Sequence, residues 1–120
     1  MKKIVIIATL FLINFKLSKA GLSSYVKVTV SSCIALDPDD VKIDVNLMCY
    51  HTLDIHAGAI ENHFIKGLKT YACNIDSSKE DIRRKFLKFY YTRSDLLNAK
   101  VEIGLNEYLY LFFKQEYPCK

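Results

Sequence analysis

Three histidines, His51, His56 and His63, stand in one stretch that also carries Asp54 and Glu61. A histidine beside a carboxylate suits acid–base chemistry, because imidazole changes charge near neutral pH and the carboxylate orients it. The other parts of a catalytic centre are missing: there is no Gly-x-Ser-x-Gly elbow, no His-Glu-x-x-His helix and no glycine-rich loop for phosphates. The second set of reactive groups is Cys33, Cys49, Cys73 and Cys119. Cys49 lies two residues before His51, yet no Cys-x-x-Cys pair occurs and the spacings match no compact zinc template. An even number of cysteines reads instead as two disulfides, with three connectivities open. Two disulfides leave no thiolate for nucleophilic catalysis. Neither an enzyme, a metal site nor a cofactor is therefore expected.

Positive charge is densest at Arg83-Arg84-Lys85 and Lys88, with Lys79, Glu80 and Asp81 just before them. A run so mixed in sign reads first as a solvated face. As a site, Arg83, Arg84, Lys85 and Lys88 form a candidate binding patch for anionic lipid head groups or an acidic protein partner.

The elements that must hold these residues begin with an address. Met1-Lys2-Lys3 is a short positive start and Ile4 to Ile13 an almost unbroken apolar run. Ser18-Lys19-Ala20 then puts small residues at the two positions a signal peptidase reads. The apolar run is about half of what a bilayer-spanning helix needs. Residues 1–20 are thus expected to be an export signal cut after Ala20, leaving 21–120 as a single extracellular domain without a transmembrane segment. The whole chain carries 17 basic and 13 acidic residues. Lys2, Lys3, Lys16 and Lys19 account for all of the excess, so residues 21–120 are formally neutral. Nucleic acid, which demands a basic surface to displace counterions from phosphate, is not an expected partner. A domain of this size buries one modest core, and disulfides in an oxidising compartment help to stabilise it.

Strand patterning dominates the rest. Val26, Val28 and Val30 alternate with Lys27 and Thr29, the period-two mark of a half-buried strand. Asp37-Pro38-Asp39-Asp40 supplies turn chemistry, and a second alternating strand is expected from Val41 to Tyr50. Residues 51–61 read as connection, and 64–74 as strand interrupted by a turn at Gly67. The segment 77–91 is ambiguous: Ile82, Phe86, Phe89 and Tyr90 fit a helical stripe behind a Ser78 cap, while residues 85–92 are dense in strand-forming aromatics. One helical turn over Lys79–Arg84 followed by a strand over 85–92 reconciles the two. Ala99–Ile103 and Tyr108–Lys114 are expected to be the last strands. About seven short strands separated by turns predict an all-β fold, a small disulfide-stapled β-sandwich. Tyr90, Tyr91, Tyr108, Tyr110, Phe112, Phe113 and Tyr117 would mostly fill its core, with surplus tyrosines forming an amphipathic contact face.

The order of these features resembles the transthyretin-like proteins of nematodes. Val26-Lys27-Val28-Thr29-Val30-Ser31-Ser32-Cys33 is similar to that family's first strand and Val41-Lys42-Ile43-Asp44-Val45 to its second. Glu61-Asn62-His63-Phe64-Ile65-Lys66-Gly67 echoes its middle motif, and Asn74-Ile75-Asp76 with Leu87-Lys88-Phe89-Tyr90 a later one. Tyr110-Leu111-Phe112 through Cys119 looks like its closing strand. The glycine usual after the first cysteine is missing, Thr92-Arg93-Ser94 stands where a cysteine is usual, and Cys49 and Cys73 look like additions. The resemblance implies a secreted sandwich acting as an extracellular binding or bridging factor. In such a sandwich Cys49–Cys73 is the preferred bridge, with Cys33–Cys119 tying the first strand to the C-terminus. A secreted protein recognising a protein or an anionic membrane surface is the first expectation for function. A carrier of a small apolar ligand is the second. A cystatin-type protease inhibitor is the third, weakened because no Gln-x-Val-x-Gly wedge occurs.

Overall fold

At a helical period, Val26, Val30 and Cys33 share one side of the chain, and in the computed structural model that side prevails over the alternation of the same valines. The structure describes residues 20–36, 43–75 and 77–119. The expected Asp37–Asp40 turn and most of the expected export signal lie outside the described residues. Helix α1, Ser24–Ala35, opens at Ser23, whose hydroxyl accepts the Val26 N–H at 3.3 Å. It buries Val26, Val30 and Cys33 and leaves Val28 47% exposed. Two buried hydroxyls are satisfied within the helix: Thr29 donates to the Tyr25 carbonyl and Ser32 to the Thr29 carbonyl, each at 2.8 Å. β-branched residues disfavour a helix by only tenths of a kcal/mol each, roughly, and burial of one full face outweighs that.

Helix α2, Ile43–Ile65, runs through both the expected second strand and the expected connection. Cys49, Leu53, Ala57 and Ile60 recur at helical spacing and are buried. The helix ends where Gly67 takes φ +72°, letting the Leu68 N–H reach back to the His63 carbonyl at 2.9 Å. The glycine read as a strand turn is thus a helix C-cap, a conformation that a Cβ would strain. Helix α3, Lys79–Thr92, begins at Ser78, whose hydroxyl accepts the Asp81 N–H at 3.2 Å, with Glu80 and Asp81 favourably placed in its positive first turn. Its buried stripe is Ile82, Phe86 and Phe89. A 3-10 helix, Ser94–Asn98, leads to helix α4, Leu105–Glu116, which buries Tyr108, Leu109, Phe112 and Phe113.

The fold is therefore all-α, and the β-sandwich expected from the valine alternation and the aromatic runs is wrong. The single bridge of β type among the described residues is Leu22 to Ile103, parallel. Each of the four helices touches the other three, α1 against α2 most extensively. At the centre, Phe86 and Phe89 of α3 meet Tyr108 and Phe112 of α4 edge-to-face, with ring centroids 5.2–5.9 Å apart. The aromatics of 85–92 and 108–114 were expected to lie on strands. As helices they present one face each, and all four rings enter one core.

The four cysteines are joined as Cys33–Cys49 and Cys73–Cys119. This overturns the pairing that the sandwich implied. Cys33 lies in the last turn of α1 and Cys49 in the second turn of α2, so the first bridge joins these two helices. The second fixes the segment 66–75 to the chain end just past α4.

Candidate functional site

Residues 66–75 leave α2 at Gly67, cross its C-terminal half and are pinned there as a strap. Its Ala72 and Ile75 are buried. The Cys73 N–H donates to the Tyr117 carbonyl at 2.9 Å beside the Cys73–Cys119 bond. Thr70 shapes the bend, donating its hydroxyl to the Ala72 carbonyl at 2.8 Å and accepting the Ala72 N–H at 3.2 Å. Ahead of these pins the strap stands off the helix and forms with it a half-open concavity of about 260 Å³. Its lining is His56, Ala59, Ile60 and His63 from one face of α2, and Lys69, Thr70 and Tyr71 from the strap.

The chemistry of the lining is one-sided. Ala59, Ile60 and the Tyr71 ring make an apolar wall, and Tyr71 rests edge-on against Tyr110 of α4 at 4.6 Å. Burial, and then the neighbouring Tyr110, raise the Tyr71 hydroxyl above its ordinary pKa, so it stays a neutral hydrogen-bonding group at physiological pH. His56 is held as wall: Nδ1 donates to the Thr52 carbonyl and Nε2 meets Asn106 Oδ1, both at 3.2 Å. His63 and Lys69 have no side-chain partner among the described residues, and no carboxylate lines the cavity.

The histidine–carboxylate pairing that would suit acid–base chemistry does not form among the described residues. Among the described residues no histidine nitrogen contacts a carboxylate. Asp54 pairs with Lys79 at 3.5 Å, and Asp54 and Glu61 line a separate, more open concavity of about 380 Å³ on another flank of α2. No group of three histidine, cysteine or acidic side chains among the described residues is placed to hold a metal.

Of the basic patch, Arg83 and Lys85 are partly drawn into the fold, while Arg84 and Lys88 are exposed. Arg83 forks onto Glu80 through Nε at 2.9 Å and Nη2 at 2.8 Å, and its Nη1 donates to the Cys33 carbonyl at 2.8 Å. Arg84 reaches Glu80 at 3.3 Å. The Lys85 ammonium lies 4.4 Å from the Tyr117 ring centroid, and Lys88 is exposed. Tyr50 of α2 donates to Glu80 at 2.6 Å, so one carboxylate ties α2 to α3 while its arginine holds the end of α1. Arg83, and behind it Tyr50 and Arg84, hold the Glu80 carboxyl at about 2, against 4.5 for a free group. A carboxyl depressed in the fold stabilises it fully above its unfolded value, and the contribution is lost as pH falls through the folded one. Stability is therefore expected to drop between about pH 4.5 and 2, by on the order of 2–3 kcal/mol from this group. Urea titrations at stepped pH should show the drop, and Glu80→Gln should flatten it; an unchanged slope in the variant would contradict the assignment.

Lys69, Tyr71 and Ile60 were not singled out from the sequence. Their signal was there: 56, 59, 60 and 63 fall on one helical face, visible once 51–65 is read as helix and not as loop. The chain matches no known protein family, no characterised protein and no solved structure. The site stands on its own residues, and no described helix is long and apolar enough to cross a membrane.

Proposed function

We propose that the chain is an exported binding protein that acts by recognition and not by catalysis, with the cavity under the strap as its binding element. The ligand is a small apolar molecule with one anionic end. The observation that carries this is the concavity's polarity: an apolar wall shared with Lys69 and His63, which have no side-chain partner among the described residues, and no acid in the lining to repel an anion. Such a mix of apolar lining and a few convergent polar groups is what small-molecule sites share. Its volume suits a ligand smaller than drug size. Support for export comes from the signal-like first twenty residues and from four cysteines that are all paired.

The test uses the oxidised protein beginning at Gly21 and calorimetric titration with decanoate, decanol and decyltrimethylammonium. Decanoate is expected to bind with one-to-one stoichiometry, about tenfold or more tighter than decanol, because a charge-assisted hydrogen bond is worth roughly 1.5–3 kcal/mol. The cation should not bind. Lys69→Gln should bring decanoate down to the level of decanol without shifting the melting temperature. Equal affinity for acid and alcohol would remove the anionic end from the proposal, and no saturable binding of either would remove the cavity. If the protein then captured an extracellular protein or anionic vesicles, recognition would move to the surface beside the strap, where Ile65 and Leu68 stand 80% and 51% exposed.

A further inference from the structure

The chain enters the fold through a clasp. Gly21 donates its N–H to the Ala99 carbonyl at 3.0 Å and accepts the Ile103 N–H at 2.9 Å, and Ser23 donates to the Ile103 carbonyl at 3.0 Å. Gly21, Leu22 and Ser23 are buried, while Ala20 is exposed. Gly21 has φ +62°, and a Cβ there would meet the Leu97 carbonyl oxygen at 2.8 Å. Two independent constraints, a left-handed backbone and backbone contact on the side-chain side, thus require glycine at this position. Among the described residues burial begins with it, and Ala20 ends the small-residue pattern of a peptidase site.

We infer that the Ala20–Gly21 bond is a processing site whose product, the free amine of Gly21, anchors the folded domain. A peptidase of small-residue specificity adds water across the bond, leaving a carboxylate on Ala20 and an amine on Gly21 that takes up a proton. Before cleavage the Gly21 nitrogen is a neutral amide with one donor, spent on Ala99. After cleavage it is an ammonium with three donors, at the C-terminal end of the 3-10 helix Ser94–Asn98. The Ala99 and Leu97 carbonyl oxygens stand beside Gly21, so a cation is stabilised by charge-assisted hydrogen bonding where an amide gained a single hydrogen bond. The side of the nitrogen that Ala20 occupied opens to solvent, so the new charge is not stranded in the core. The register of the cut matters. A cut one residue later removes the Gly21 hydrogen bonds, and a cut one residue earlier moves the charge off the clasp.

The exported protein, taken from a secreting host, is expected to have the mass and N-terminal residue of a chain beginning at Gly21. A different first residue would overturn the site. For the anchor, four oxidised chains are compared by thermal melting: one beginning at Gly21, one N-acetylated at Gly21, one beginning at Ala20 and one beginning at Leu22. The Gly21 chain should melt highest, with the acetylated and Ala20 chains about 4–8 °C lower and the Leu22 chain lower still. Acetylation keeps the amide hydrogen bond and removes only the charge, so equal melting of the first two chains would overturn the ionic anchor even if the cut is where we place it.

Discussion

Phe112→Ala is expected to cost about 4 kcal/mol, seen as a fall in the urea midpoint with an unchanged slope. Phe112 is fully buried and its ring meets Phe86, Phe89, Phe113 and Tyr117, with centroids 4.8–6.3 Å away. Removing it leaves a cavity bounded by rings whose positions are set by two different helices, so neither α3 nor α4 can move in without breaking its other contacts. The loss includes transfer of the ring to water, the cavity, and edge-to-face contacts worth roughly 0.5–1.5 kcal/mol each. A small domain has on the order of 5–15 kcal/mol in all, so the variant should sit at the margin of folding. Tyr91→Ala is the control: Tyr91 is 64% exposed, and its removal should change stability by less than about 0.5 kcal/mol.

Opening the Cys73–Cys119 bond should cost nearly as much, and it should come first under mild reductant. The two bridges span 46 and 16 residues, which in the chain-entropy account is worth about 4 and about 3 kcal/mol. Access separates them more sharply than loop length. Cys33 and Cys49 are fully buried beneath α1 and α2, whereas Cys119 is exposed at the chain end. A thiolate reductant must reach a sulfur to attack it. Quenched time points analysed by mass should therefore show Cys73 and Cys119 alkylated while Cys33 and Cys49 remain joined. That intermediate should keep its helical circular dichroism and lose decanoate binding, because the bond pins the strap that roofs the cavity. Retained binding after selective reduction would separate the strap from the site.

Parts of this arrangement were legible residue by residue. Ser78 with acids behind it announced the start of α3, because a cap is a local property; Ile82, Phe86 and Phe89 carried its 3.6 period, but the strand propensity of 85–92 made a strand the expectation there. The charge balance of residues 21–120 and the even cysteine count needed no fold at all. The valines at 26, 28 and 30 satisfied two periods at once, and local alternation could not choose between them. In α2, Cys49, Leu53, Ala57 and Ile60 carried the helical period, but the alternation of Val41–Leu47 masked where that period began.

What the sequence by itself determined was therefore chemical: an even set of cysteines that reads as two disulfides, and a signal-like first twenty residues that hold the whole net charge. Tertiary structure alone decided which half of each ambiguous pattern was buried. It did so because four helices that each pack on the other three bury more aromatic and aliphatic surface than local β-propensity could offset. The same packing chose Cys33–Cys49 and Cys73–Cys119, drew the basic run onto Glu80, the Cys33 carbonyl and the Tyr117 ring, and set Lys69 and His63 over an apolar cavity that no spacing in the chain displays.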